Sequence, residues 1–138
     1  MRILIDTNII LDYIADRRPF SETAYQIIEL CTNRKVEGCI AAHTISNLFY
    51  ILRKELSNEE RREVLQGFCK IFDVIGIDAA KIESALKNNS VIDFEDCLQM
   101  ECAKDIDANF IVTRNIKDYV NSSIKAIDPS DFLKQISY

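Results

Sequence analysis

Short apolar runs that end abruptly at a polar residue, separated by stretches of helical periodicity, constrain this chain more than any other feature. Ile3-Leu4-Ile5 stops at Asp6, Cys39-Ile40-Ala41-Ala42 at His43, and Ile111-Val112 at Thr113. Each run is too short for a helix and reads as a buried strand. Between them apolar residues recur at three- and four-residue steps, as in Ala24, Ile27, Ile28, Cys31 and again in Ile45, Leu48, Phe49, Leu52. That spacing gives amphipathic helices. Strands alternating with such helices imply an α/β fold: a three-layer α/β/α sandwich around a central, mostly parallel sheet. In open sheets of this kind, function gathers beyond the carboxyl ends of the strands, where strand order reverses. Asp6 and Thr113-Arg114-Asn115 directly follow strand ends.

The local signals predict strands over Arg2 to Ile5, Cys39 to Ala42, Val74 to Ile77, Asn109 to Thr113, and Ala126-Ile127. They predict helices over Asn8 to Ala15, after Pro19 with Ser21 as N-cap, and from His43 or Thr44 onward. Lys35 to Gly38 reads as a turn. Ser57-Asn58-Glu59-Glu60 is a capping box opening a helix toward Phe72. Asp78 caps a helix ending near Asn88-Asn89, Asp93 opens one to about Ile106, and Asp128-Pro129 starts the last with proline at its first position.

With 138 residues the chain suits one domain, 1–138, able to bury a core without staples. The apolar start meets Asp6 and Asp12 too soon for a signal peptide or membrane span, so a cytoplasmic protein with no membrane partner is expected. Five cysteines without a C-x-x-C pair, and a single histidine, argue against a disulfide framework or structural zinc. The cysteines read as small core fillers. A net charge of −5 disfavours a long non-specific nucleic-acid groove, yet a carboxylate cluster holding cations would itself lower the net charge.

Asp6 poses the main question, because Ile77-Asp78, Ile92-Asp93 and Ile127-Asp128 repeat its setting, and capping alone would explain all four. The stretch VIDFEDCLQMECAKDI places Asp93, Asp96 and Gln99 or Met100 on one helical face. Its acids Asp93, Glu95 and Asp96 are adequately explained as first-turn helix stabilisers. The same geometry can also point a carboxylate at Mg²⁺ touching a phosphate. In FIVTRNIKDY, Thr113 and Asn115 offer neutral oxygens, Arg114 and Lys117 positive charge, and Asp118 a further carboxylate. Here the plain explanation is that Thr113 or Asn115 caps a short helix.

These three stretches resemble the PIN domain, the nuclease fold of many VapC-type toxins of toxin–antitoxin pairs. The matching segments are I-D-T-N-I-I-L-D ending at Asp12, D-F-E-D-C-L-Q from Asp93 to Gln99, and V-T-R-N-I-K-D-Y from Val112 to Tyr119. The resemblance implies an acidic pocket that binds Mg²⁺ or Mn²⁺ and hydrolyses RNA. It makes Asp6, Asp96 and Asp118 the catalytic and metal-binding residues, with Asn8, Asn47, Asp93, Glu95, Thr113, Arg114 and Asn115 in support or on substrate. Asn47 stands where such nucleases carry a second acid, and Asn115 where they often have Asp. An amide ligates only through a neutral carbonyl, so the match is to a variant of the pattern.

The resemblance further implies an RNA substrate, a small antitoxin as partner and a homodimer, for which the helices around Ser21 to Cys31 and Ile45 to Leu56 offer apolar surface. The alternative is a PIN-fold interaction or RNA-binding module with little or no catalysis. Two other enzyme classes fail by residue: a dehalogenase-type phosphatase needs D-x-D where Asn8 stands, and a response-regulator receiver needs paired acids at the first strand end. Arg17-Arg18, Arg34-Lys35, Arg53-Lys54 and Arg61-Arg62, with Tyr13 and Tyr50, are possible RNA contacts that read more simply as solvated surface.

Overall fold

The computed structural model describes residues 1–89 and 93–137. Five strands form its sheet: β1 (Arg2–Ile5), β2 (Glu37–Ala41), β3 (Asp73–Ile75), β4 (Phe110–Val112) and β5 (Ala126–Ile127). Every pairing is parallel and the order is β3-β2-β1-β4-β5. The expected three-layer sandwich is therefore present, and its sheet is parallel throughout. Side chains alternate across it as strand geometry requires. Ile3 and Ile5 join Ile40 and Val112 in one core, with Ile9, Ile27, Leu48, Leu65 and Phe132 from the helices on that face. Leu4, Cys39, Ala41 and Ile111 enter the other with Met100 and Ala103.

The helices are α1 (Thr7–Ile14), α2 (Ser21–Thr32), α3 (Ala42–Ile51), α4 (Asn58–Ile71), α5 (Ala79–Lys87), α6 (Phe94–Asp105) and α7 (Pro129–Ile136). Short 3₁₀ turns cover Leu52–Lys54 and Ile116–Tyr119. None of the helices among the described residues is long and apolar enough to cross a membrane. Ser57 and Glu60 close the expected capping box. Asp78, Asp93 and Asp128 each accept a backbone N–H at the start of their helix. Ile92, the apolar neighbour in one of these repeats, lies outside the described residues.

Several boundaries differ from expectation. Ser21 is the first helical residue of α2 and not its cap, because the preceding turn already satisfies its amide through the Arg17 carbonyl at 2.8 Å. The turn before β2 lies earlier than expected. Arg34 adopts φ 59° and the amides of Arg34 and Lys35 bond back to Cys31 and Leu30, so the strand begins at Glu37. Gly38 thus belongs to the strand, where a Cβ would stand 2.6 Å from the Cys31 sulfur and 2.8 Å from the Phe72 ring. The chain leaves β2 straight into α3 at Ala42, a residue or two before the expected start. Four cysteines are buried as expected, but Cys69 is exposed on α4.

The strand order fixes where function can sit. The chain moves outward from β1 through β2 to β3, then returns across the sheet to β4 on the other side of β1. The crevice between β1 and β4 is the switch point. There the Asp6 amide donates to the Val112 carbonyl at 3.0 Å, binding the two strand ends together.

Candidate active site

Asp6 occupies the N-cap position of α1 with extended backbone, but its side chain makes no capping hydrogen bond. In this it differs from Asp78, Asp93 and Asp128. Its Oδ2 instead accepts from the Thr113 hydroxyl at 2.7 Å, across the switch point. The carboxyl is only 6% exposed. Burial pushes its pKa up, the Thr113 and Thr7 hydrogen bonds and Arg114 oppose the rise, and the Asp118 charge adds to it.

Asp96, in the first turn of α6, accepts from the Tyr119 hydroxyl at 3.1 Å. Its carboxyl is pushed up to about 7 by burial first, then by the charges of Asp93, Asp6 and Asp118, with the Tyr119 bond pulling the other way. Burial and the same carboxylates hold Tyr119 protonated, so it remains a donor. Asp118 is carried by the 3₁₀ turn after β4. Its charge reaches both Asp6 and Asp96, which places all three acids around one point.

That point is a cavity of about 410 Å³. Asp6, Asn8, Asn47, Asp93, Glu95, Asp96, Asn115 and Asp118 all line it, bringing together segments that begin 87 residues apart in Asp6 and Asp93 and extend to the strand end at Asn115. Asp93 retains its cap as well, its Oδ1 accepting from the amides of Glu95 at 2.8 Å and Asp96 at 3.4 Å. Thr113 is fully buried beneath the wall, and its hydroxyl also accepts from the Asn115 amide at 3.0 Å. Neither Thr113 nor Asn115 caps the short helix through its side chain.

Arg114 is not free to face the cavity. Its guanidinium forms two bonds with the Asp12 carboxylate, at 2.7 and 3.0 Å, and lies 3.9 Å over the Phe20 ring. Asp12 is fully buried, so the pair ties the loop after β4 to α1. Tyr13 likewise turns away, packing on Tyr25 and Phe68. Tyr50 does reach the cavity wall.

Four residues outside the expected site set contribute as well. Thr7, Thr44 and Gln99 form a polar knot behind the acids: the two hydroxyls are 2.9 Å apart and the Gln99 amide nitrogen lies 3.5 and 3.4 Å from them. His43 lines the cavity from the start of α3. A usable signal existed for Gln99, one helical turn after Asp96 on the same face. None existed for Thr44 or His43, whose position depends on how α3 crosses α1.

The donor set suits a hard divalent cation, being all oxygen and carboxylate-rich. Burial first, and then the charge of neighbouring carboxylates, raises Asp6 and Asp96, and a cation would offset both, since the nearby cation Arg114 is committed to Asp12. Among the described residues, however, no three His, Cys, Asp or Glu side chains are gathered closely enough to form a ready-made metal cage.

Residues 2–117 match the family model described as PIN domain. The chain is 22% identical to Ribonuclease VapC1 of Aquifex aeolicus strain VF5, across 97% of this chain and 94% of that protein. Its fold is similar to that in the crystal structure of VapBC2 from Rickettsia felis bound to a promoter DNA fragment, with a TM-score of 0.71, 20% identity, and coverage of 93% of this chain and 98% of that one. It is similar also to DNA-bound VapBC from Salmonella typhimurium, with a TM-score of 0.71, 21% identity, and coverage of 94% and 98%.

Proposed function

The chain belongs to the PIN domain family, and from that premise we propose that residues 1–138 act as one domain, a divalent-metal-dependent endoribonuclease that is the toxin of a toxin–antitoxin pair. The observation that carries this reading is the convergence of Asp6, Asp96 and Asp118 on one cavity at the switch point of the sheet. The VapC ribonuclease relative and the VapBC complexes of similar fold support it.

Asp6, Asp96 and Asp118 would hold Mg²⁺ or Mn²⁺. Such an ion polarises the phosphate and lowers the pKa of a water molecule beside it. The rest falls to the chain itself. Thr113 and Tyr119 each fix one carboxylate by donating a hydrogen bond, which sets the direction of the remaining lone pairs. Asp93, by capping α6, holds the turn that carries Asp96. The Asp12–Arg114 pair anchors the loop bearing Asn115 and Asp118 against α1. Burial and the neighbouring carboxylates leave the Asp96 carboxyl partly protonated near neutrality, and its ionised form is the one that would hold a cation. Asn8, Asn47 and Asn115 supply neutral oxygens and amide donors without adding to the repulsion.

The chain would work as a homodimer in a cytoplasmic setting and be restrained by a small antitoxin protein. Purified protein incubated with a panel of single-stranded and hairpin RNAs should cleave them with Mn²⁺ and not with EDTA. Replacement Asp6→Asn should abolish most of that cleavage; equal cleavage by both proteins in matched metal refutes the assignment. The reading as a binding module is favoured by one observation, the absence of a ready-made metal cage among the described residues. It requires RNA retention without cleavage, and a melting temperature indifferent to Mn²⁺.

A further inference from the structure

Two side chains on the α3 side of the cavity carry hydrogen-bonding atoms that the fold does not use. Gln99 is only 2% exposed, yet its Oε1 has no partner. Turning the amide over would move the unpaired atom to the nitrogen without pairing it, because only one end can face the Thr7 and Thr44 hydroxyls. Both nitrogens of His43 are buried, and neither reaches hydrogen-bond geometry with a partner among the described residues, the backbone of Glu95 being near enough only to act weakly on the ring. Burial lowers the pKa of this imidazole, opposed by the charge and backbone of Glu95 and by the charge of Asp93; in its neutral form one nitrogen donates and the other accepts. An unsatisfied buried polar atom is costly, and a protein tolerates it where something else completes the bond.

At the mouth of the same side stands Tyr50, 63% exposed. The Arg53 guanidinium covers one face of its ring at 3.9 Å and is fixed by a 2.9 Å bond to the Tyr50 carbonyl. A rigid aromatic ring backed by a cation is a platform on which a flat ring can stack. The cavity volume of 410 Å³ falls within the roughly 300–1,000 Å³ range of small-ligand sites.

We propose that the α3 side of the cavity is a subsite for one unpaired nucleobase beside the cut phosphate, stacked on Tyr50 and read at its edge by Gln99 and His43. The proposal rests on the nuclease reading for its RNA and adds the base. The edge that fits is one presenting adjacent N–H donors. Gln99 Oε1 and the Glu95 carboxylate are acceptors, and further carboxylates surround them. Guanine offers N1–H and N2–H₂ side by side, whereas uracil presents a single N3–H flanked by two carbonyl oxygens that these acceptors repel. The acid side then engages the phosphodiester while the α3 side selects the residue next to it.

The test separates the base from the chemistry. Guanosine, adenosine, cytidine and uridine, which lack phosphate, are titrated into the full chain in EDTA and followed by backbone amide chemical shifts. Guanosine should bind about tenfold more tightly than uridine, with shifts centred on His43, Tyr50 and Gln99. Gln99→Met, which keeps the volume and removes the unpaired oxygen, should erase that ratio. Tyr50→Ala, at an exposed position where folding is not at stake, should weaken all four nucleosides together. Equal binding of guanosine and uridine, or a ratio unchanged in Gln99→Met, overturns the subsite and assigns the two orphan groups to bound water. A guanosine preference in a protein that cleaves no RNA upholds the subsite while the nuclease reading fails. Cleavage indifferent to the neighbouring base, with no nucleoside selectivity, upholds the nuclease and removes the subsite.

Discussion

Neutralising Asp96 should make the metal-free protein more stable above neutral pH, which is the reverse of what losing a helix-stabilising acid would do. The carboxyl titrates near 7 in the folded chain against 3.8 for the ordinary group. A folded pKa above the unfolded one means the native state holds a proton that the unfolded chain releases, so stability falls as pH rises from about 4 to about 7 and stays low beyond. At about 1.36 kcal/mol per pH unit the ceiling on this penalty is about 4 kcal/mol. Asp96 is partly exposed, and solvent screening reduces the figure to about 1–2 kcal/mol. Asparagine carries no charge, and its carbonyl can still accept from Tyr119. Asp96→Asn in EDTA at pH 8 should therefore melt about 3–6 °C above the parent, while near pH 4.5 the two should nearly coincide. With Mn²⁺ the order reverses. The parent should gain about 2.7 kcal/mol at a hundredfold excess over Kd, and the variant should lose most of that gain. Melting curves by circular dichroism, for both proteins, at both pH values, with EDTA and with Mn²⁺, give the answer. A variant that melts below the parent at pH 8 in EDTA, yet shows the full Mn²⁺ shift, would refute the reasoning and leave Asp96 as a structural acid of α6.

Other substitutions probe the frame around the site. Arg114→Met leaves the Asp12 carboxylate buried without its partner and should cost about 3 kcal/mol in urea unfolding, whereas loss of an exposed ion pair such as Lys134–Asp131 should cost under about 1 kcal/mol. Gly38→Ala drives a methyl toward the Cys31 sulfur and the Phe72 ring and should destabilise by about 1–3 kcal/mol, read as a lower denaturation midpoint at unchanged slope. Asp78→Ala removes a true N-cap and should cost about 1 kcal/mol with or without metal, while Asp6→Asn in EDTA should cost less or stabilise, since its side chain caps nothing; metal-free melting of the pair distinguishes the roles.

Much of this protein is local and was legible from residue order. Ser57-Asn58-Glu59-Glu60 and the caps at Asp78, Asp93 and Asp128 act on amides two or three residues away, so their chemistry is complete within one turn. Strand alternation at Ile3-Leu4-Ile5 is equally local, because the pleat alone sends Leu4 to the opposite face. Sequence also pointed to three acids that the structure finds lining one cavity, Asp6 directly after a strand end, Asp96 in a first helical turn and Asp118 in the turn beyond β4. Which partner each acid takes was decided elsewhere. Asp6, alike in sequence context to three capping aspartates, gives its oxygen to Thr113 across 107 residues. Arg114, apparently at the rim of the site, is turned away by Asp12 across 102 residues. The Thr7–Thr44–Gln99 knot spans as much as 92 residues. Such partners are chosen by the order of strands in the sheet and the crossing of α1, α3 and α6 above it. Neither is encoded in any window short enough to show periodicity, because a hydrogen bond depends on distance in space and a sequence pattern on distance along the chain.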